Sequence, residues 1–167
     1  IADAAFNTTA FGAVSASCFP SPLIKTNSIV GKLNKGKLTG TKTLVLDATN
    51  PTQWLYNYFF YDEYGHLTQT QNNDVLGATN RINNLYDFKG RITNAQHLHT
   101  NPNNTTLQTL HTYAYDKSDN PLYELQQTGS DAAVVLSKKT YNELGQLAEK
   151  NVHSKTLCGS FLQSMDY

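Results

Sequence analysis

The chain has 167 residues, and its 13 basic and 13 acidic side chains cancel in formal charge. Binding through nucleic-acid phosphates requires clustered basic side chains, so this balance argues against a nucleic-acid partner. No apolar run approaches the roughly 20 residues that cross a bilayer as a helix. An aromatic content of 11% that includes ten Tyr favours strands and turns over helices.

Residues 1–28 are predicted to form an irregular leading segment, because Pro20 and Pro22 interrupt any regular element there. The chain starts without Met and carries no charged-then-apolar leader, so it is interpreted as a processed or excised piece of a longer protein. Its two cysteines, Cys18 and Cys158, fit either a disulfide or a pair of free thiols.

A repeat array is predicted over residues 29–167. It opens with a Gly- and Lys-rich stretch, residues 31–40, that has the glycine spacing of a phosphate-binding loop. Such a loop requires Ser or Thr after its Lys, whereas Leu38 follows Lys37. The stretch is therefore predicted to be a turn with solvated lysines, followed by a strand over residues 41–46.

Residues 54–61 form the most apolar segment and are predicted to be a strand. Trp54, Tyr56 and Tyr58 lie on one face of such a strand, because side chains alternate between its faces. The opposite face also carries aromatic rings, which fits a strand covered on both sides. Core packing is the simpler use of the rings, and a platform on which sugars stack is the alternative.

A five-residue pattern, Tyr-Asp-x-x-Gly, recurs along the array every 25 to 29 residues. Such a period marks one supersecondary unit used several times, and these units bury apolar surface by stacking on their neighbours. Some copies are incomplete. The residues that carry the pattern are Tyr61, Asp62, Gly65, Tyr86, Asp87, Gly90, Arg91, Tyr115, Asp116, Tyr141 and Gly145.

Each copy predicts two strands joined by a tight turn. The Asp side chain can accept hydrogen bonds from backbone N–H groups beyond it, and the Gly supplies the positive φ that a short hairpin requires. The polar stretches midway between copies, residues 72–77, 101–104 and 128–131, are predicted to be variable loops. The predicted fold is all-β, with tandem antiparallel hairpins side by side in a continuous twisted sheet.

The pattern resembles the YD repeat, also called the Rhs repeat, of large bacterial secreted and cell-surface proteins. Residues 86–92 match it best because they keep Arg91, whereas His66 takes that position in the first copy. The resemblance implies a wall-like segment of a spiral β-shell that encloses a C-terminal polypeptide cargo, often a toxin. It also implies an extracellular or cell-surface location, with neighbouring repeats of the parent chain as partners and tyrosines stacked from repeat to repeat.

Three histidines, His97, His99 and His111, fall on adjacent predicted strands and could be considered as zinc ligands. A structural zinc ion normally takes four protein ligands, and no carboxylate or thiol is convincingly supplied here, so a polar surface is the simpler interpretation. No nucleophile-elbow pattern occurs, and turn formation accounts for the repeated Asp residues. We predict no catalytic residue, cofactor site or metal site, and no enzymatic activity.

Two functions are consistent with these residues. The first is a non-enzymatic structural module of a shell that encloses or displays a polypeptide. The alternative is a carbohydrate-binding module that uses Trp54, Tyr56 and Tyr58. Exposure of Trp54 distinguishes them, because a sugar platform must be accessible to solvent. Exposed sheet edges further predict that the isolated chain dimerises or exchanges strands.

Overall fold

The computed structural model describes residues 36–46 and 53–167. These residues form strands and contain no helix, and so none that could cross a membrane. The strands are β1 Gly40–Leu44, β2 Trp54–Tyr61, β3 Leu67–Asn73, β4 Thr79–Tyr86, β5 Ile92–Thr100, β6 Thr106–Tyr115, β7 Pro121–Thr128, β8 Val134–Tyr141, β9 Leu147–Ser154 and β10 Gln163–Asp166. The predicted leading segment, residues 1–28, and Cys18 lie outside the described residues, whereas Cys158 is exposed between β9 and β10.

The strand order of the sheet follows the chain, from β1 to β10. Consecutive strands pair antiparallel and are joined by short connections, so the prediction of an all-β fold built from antiparallel hairpins is confirmed. The chain divides into two compact units. One contains the described residues up to Asn83 together with His99–Thr106, and the other contains Asn84–Leu98 and Leu107–Tyr167.

In the first unit, one sheet face carries the alternate aromatic residues of β2. Lys42 lies opposite Tyr56 in the β1–β2 register, and Tyr58 lies opposite Gln71 in the β2–β3 register. Water is excluded from this face at Tyr58, which is 5% exposed, and at Gln71, which is 1% exposed. The buried amide of Gln71 donates a hydrogen bond to Gln69, so the polar group is satisfied where it lies.

In the second unit, buried side chains lie on β8 and β9. Val135 is 1% exposed and lies directly opposite Ser154, which is also buried. Asn151 is buried as well, and its amide nitrogen donates to the Glu149 carboxylate at 2.8 Å. Both units therefore bury hydrogen-bonded polar side chains beside apolar ones, as the mixed composition of the predicted strands indicates.

Three motif tyrosines lie at β-bulges. The register of the hairpin shifts immediately before Tyr61, Tyr115 and Tyr141, and Tyr86 is the last residue of β4. A bulge places an extra residue in one strand, bends that strand and changes the direction of the side chain beside it. Because of the bulges, these three tyrosine side chains do not follow the simple alternation between sheet faces that the sequence predicts.

Candidate functional site

The turn after each motif tyrosine is held closed by the motif Asp or Asn. In the second copy, the N–H of Asp87 donates to the carbonyl of Arg91 at 2.9 Å, and the N–H of Gly90 donates to the carbonyl of Asp87 at 3.0 Å. One Asp87 carboxylate oxygen accepts two further backbone bonds, from Lys89 at 2.9 Å and from Arg91 at 3.0 Å. Gly90 has a φ of +80°, which glycine adopts without a steric cost.

The incomplete copies make the same turn. Asp116 and Asn142 each accept two backbone N–H groups through one side-chain oxygen, at 2.8–3.0 Å. Asp119 occupies the position of the motif Gly and takes a φ of +69°. Asp tolerates this left-handed conformation better than most residues, because its short polar side chain can bond locally.

Two of the three connections that we predicted to be variable loops also form this turn. Asp74 accepts the N–H groups of Leu76 and Ala78, both at 2.9 Å. Asn101 likewise accepts two backbone N–H groups, at 3.0 and 2.9 Å. The prediction is wrong for these connections because the turn depends on the Asp or Asn, not on the preceding Tyr. The Asp-x-x-Gly spacing from Asp74 to Gly77 was the signal that could have revealed it.

Motif tyrosines bind the backbone of the copy before them. The hydroxyl of Tyr115 donates to the carbonyl of Ile92 at 3.0 Å, and the hydroxyl of Tyr141 donates to the carbonyl of Pro121 at 3.0 Å. In each case the acceptor lies six positions after the preceding motif tyrosine. In the first unit, the hydroxyl of Tyr61 donates to the carbonyl of Leu38 at 2.9 Å. We call these three hydroxyl-to-carbonyl bonds the tyrosine ladder.

A cation lies on the ring at two positions of the tyrosine ladder. The guanidinium carbon of Arg91 is 4.6 Å from the centre of the Tyr115 ring. Arg91 is held in place by Asp87, whose carboxylate accepts a hydrogen bond from Nε at 2.7 Å, and by Asp119, to which it also donates. A cation over an exposed ring stabilises by about 0.5–1 kcal/mol. Arg91 therefore links its own turn to the tyrosine of the next copy.

Lys37 repeats this arrangement in the first unit. Its Nζ lies 4.7 Å from the centre of the Tyr61 ring and donates to the carbonyl of Gly65. Gly36 has a φ of +80°, like the motif glycines. Residues 36–38 thus match the end of a motif copy. Lys37 is exposed in a turn, as predicted, and its ammonium group also contacts the ring of the first motif tyrosine. The Gly-Lys-Leu order, which parallels Gly-Arg-Ile in the second copy, could have indicated this.

The turn carboxylates have lowered pKa values. Hydrogen bonds from the backbone and side chain of Arg91 hold the pKa of Asp87 below its usual range, although partial desolvation raises it. The side-chain amide of Asn120 is the main cause of the lowered pKa of Asp116. Burial, with a smaller contribution from Asp116, raises the pKa of Tyr141. At neutral pH the carboxylates therefore accept and the phenol donates, as the contacts require.

The predicted sugar platform is only partly accessible. Trp54 and Tyr56 are half-buried, whereas Tyr58 is buried. The rings of Tyr56 and Tyr58 are parallel within 1°, with centroids 6.2 Å apart. The Nζ of Lys42 lies 4.1 Å from the Trp54 ring centre and 5.7 Å from that of Tyr56. A sugar that stacked on these ring faces would have to displace the lysine.

The histidines considered as zinc ligands have other contacts. Nδ1 of His99 lies 2.8 Å from the side-chain oxygen of Asn80, and Nδ1 of His111 lies 3.0 Å from the Glu124 carboxylate. His97 is exposed on β5. Within residues 36–46 and 53–167, no three His, Cys, Asp or Glu side chains are grouped closely enough to hold a metal ion.

Comparison of the sequence with models of known protein families and with curated proteins gave no match. The repeated contacts themselves are therefore the basis on which a function can be argued.

Proposed function

We propose that the chain is a non-enzymatic structural repeat module of the YD or Rhs type. In this proposal it forms part of the shell of a bacterial secreted or cell-surface protein, which encloses or displays a C-terminal polypeptide such as a toxin. The tyrosine ladder is the observation that carries the proposal. It places a bond between successive copies, at Tyr115 and again at Tyr141.

Contacts between successive copies are what a repeat wall requires. In a repeat array, stability comes largely from the interfaces between neighbouring units. Tyr115 contributes its hydroxyl and its ring to such an interface, and Arg91 contributes charge and hydrogen bonds. The side chains that could serve acid–base chemistry, such as Asp87 and Asp116, are already bonded to backbone N–H groups in the turns. These residues support a structural role.

The proposed partners follow from the same architecture. In the parent protein, further repeats would continue the sheet, and the enclosed polypeptide would contact one of its faces. Among the described strands, β1 and β10 end the strand order, so each has one neighbour. Unpaired edges are templates for pairing with another chain. The isolated chain is therefore proposed to dimerise or exchange strands through these edges.

A carbohydrate-binding module is the second candidate. The flat strip formed by Tyr56 and Tyr58, together with the half-buried Trp54, is the observation that favours it. Lys42 over the rings and the burial of Tyr58 weigh against it. The structural module is therefore preferred.

A double-mutant cycle with Arg91→Gln and Tyr115→Leu tests the structural proposal. If the two side chains join successive copies, the losses in unfolding free energy are not additive, and the coupling is about 0.5–1 kcal/mol. Lys117→Gln in place of Arg91→Gln is the matched control, because Lys117 is exposed in the next turn. Coupling indistinguishable from zero would contradict a role for this contact in joining repeats.

Emission from Trp54, the single tryptophan, separates the two candidates. When a panel of glycans is titrated into the protein, the structural proposal predicts no saturable change in Trp54 emission. Quenching of this emission by acrylamide should increase in Lys42→Ala, because the Trp54 ring then loses the lysine that lies over it. A saturable response that Tyr56→Ala abolishes would establish sugar binding in its place.

A further inference from the structure

One tyrosine of the ladder lacks the cation that covers the other two. The ring of Tyr61 lies under Lys37, and the ring of Tyr115 lies under Arg91. Tyr141 donates its hydroxyl to the preceding copy in the same way. Among the described residues, however, no lysine or arginine lies over the ring of Tyr141. The fourth copy therefore keeps the hydrogen bond of the ladder without its cation.

The difference originates in the turn of the third copy. Arg91 lies four positions after the motif Asp of its own copy, and its Nε donates to the Asp87 carboxylate at 2.7 Å. The corresponding residue of the third copy is Asn120, whose shorter side chain donates to the Asp116 carboxylate at 2.9 Å. This amide supplies a hydrogen bond but no positive charge. Asp116 is therefore without an ion pair in the described part of the chain, whereas Asp87 is paired with Arg91.

An open depression of about 330 Å³ lies beside Tyr141, and both Asp116 and Lys139 line it. Lys139 forms no ion pair or hydrogen bond with any described residue, so these two opposite charges are not paired with each other. Lys138 also lines the depression, but its Nζ donates to the carbonyl of Leu157 at 3.1 Å. The depression thus presents a carboxylate and an ammonium group beside an aromatic ring.

The contacts of Arg91 show which group suits the position between Asp116 and Tyr141. A guanidinium stacks on an aromatic ring and binds a carboxylate through its planar fork, as Arg91 does with Tyr115 and Asp87. The charge of Asp116 raises the pKa of Tyr141, although burial is the larger cause, so this carboxylate and this ring are close neighbours. The same pair of groups is therefore present here without the guanidinium.

We propose that the depression binds a small zwitterion of the arginine type. Its guanidinium would lie between Asp116 and the Tyr141 ring, its carboxylate would bind the ammonium group of Lys139, and its methylene groups would contact Leu122. A cation alone would be repelled by Lys139, and an anion alone by Asp116, so a ligand with both charges fits both ends. A free amino acid and an arginine at the carboxyl end of a polypeptide share this chemistry. The site is additional to the structural role, because it lies at a junction between two copies and binds a ligand there.

An NMR titration of the isotope-labelled full chain with Nα-acetyl-L-arginine tests the site. We expect saturable shifts of the backbone amides of Asp116 and Tyr141. The amide of this probe lacks the negative charge, and Nα-acetyl-L-citrulline lacks the positive charge. Each should bind about tenfold more weakly, as expected when a hydrogen bond to a charged group is lost. L-Arginine is titrated in parallel: tighter binding than the acetylated probe would identify a free amino acid as the ligand, and weaker binding a chain terminus.

Lys139→Gln tests the anionic end of the ligand. It should weaken binding of Nα-acetyl-L-arginine about tenfold without weakening binding of its amide, because Lys139 contacts only the carboxylate. Lys155→Gln is the control, because Lys155 is exposed in the segment after β9.

Asn120→Arg tests the cationic end. The new side chain should supply the guanidinium from within the chain and prevent binding of the probe, whereas Asn120→Gln should still bind it. The same variant should raise the thermal midpoint by about 1–4 °C, since an arginine then covers the Tyr141 ring. Loss of binding together with a gain in stability could not result from loss of folding.

Three results would overturn the proposal: equal binding of the citrulline probe, undiminished binding to Asn120→Arg, or equal weakening by Lys155→Gln. None of these bears on the coupling between Arg91 and Tyr115, so failure here is distinguishable from failure of the proposed function.

Discussion

The hydroxyl of Tyr115 donates a hydrogen bond to the backbone carbonyl of Ile92, 3.0 Å away and 23 residues earlier in the chain. The bond forms where the register shifts before Tyr115, so a β-bulge and an inter-repeat contact coincide. Tyr141 has the same relationship to Pro121. The motif tyrosine therefore acts between copies, while the motif Asp acts within its own turn.

Removal of a ladder hydroxyl should reduce stability modestly. Tyr115→Phe keeps the ring under Arg91 and loses only the bond to Ile92, so we expect the unfolding free energy to fall by about 0.5–1.5 kcal/mol. Chemical denaturation measures the change. Tyr64→Phe is the control, because Tyr64 is 78% exposed at a turn and should change stability little. Equal effects of the two variants would contradict the ladder.

Asp119 combines a strained backbone with charge contacts. Its φ of +69° favours Gly, whereas its carboxylate binds Lys89 at 2.7 Å and also Arg91. Both Asp119→Gly and Asp119→Ala remove the ion pairs, but only Ala retains the strain. Denaturant midpoints should therefore place Asp119→Ala about 1 kcal/mol below Asp119→Gly. Because salt screens the ion pairs, high salt should reduce the difference in unfolding free energy between the native protein and Asp119→Gly. Identical stabilities of the Gly and Ala variants would refute the assignment of strain.

Asp74 should matter as much as a motif Asp, although no tyrosine precedes it. Asp74→Ala removes the acceptor of two backbone bonds and should cost about 1–2 kcal/mol. Asp74→Asn keeps an acceptor oxygen and should recover most of that loss. Asp131→Ala is the comparison, since Asp131 contributes its backbone N–H to a differently built turn. Thermal and chemical unfolding measure the stability of the three variants. A loss in Asp131→Ala as large as the loss in Asp74→Ala would contradict the role given to the Asp74 side chain.

Acid should weaken the turns of the second unit. The folded-state pKa values of Asp87 and Asp116 are lowered, so the unfolded chain binds protons first as the pH falls. Their stabilisation is present above the unfolded pKa of about 4 and is lost as the pH falls through the folded values. Unfolding free energy measured from neutral pH downward should therefore decline below about pH 4. Asp87→Asn and Asp116→Asn should make the decline shallower.

Asn142 supplies the converse test, because it fills the same turn position without a titratable group. Asn142→Asp should make the acid-dependent decline steeper. An unchanged slope in all three variants would mean that these turns do not contribute to acid sensitivity.

The turns and strands could be predicted from the sequence because their contacts are local. Asp87 reaches Lys89 and Arg91 within four residues, and Gly90 supplies the left-handed backbone position. Residue type and spacing determine such contacts whatever the rest of the chain does. The local rule even holds at Asp74, where the polar composition and the position midway between motif copies led us to predict a variable loop.

Tertiary structure decided which distant groups these turns and strands bring together. The bulge before Tyr115, the choice of the Ile92 carbonyl, the cation of Lys37 over Tyr61 and the opposition of Lys139 to Lys150 all depend on register. A shift of one residue in register would turn every side chain of a strand to the other face, and only the paired sheet as a whole specifies it. The sequence by itself therefore determined the hairpins, and strand pairing determined the contacts between them.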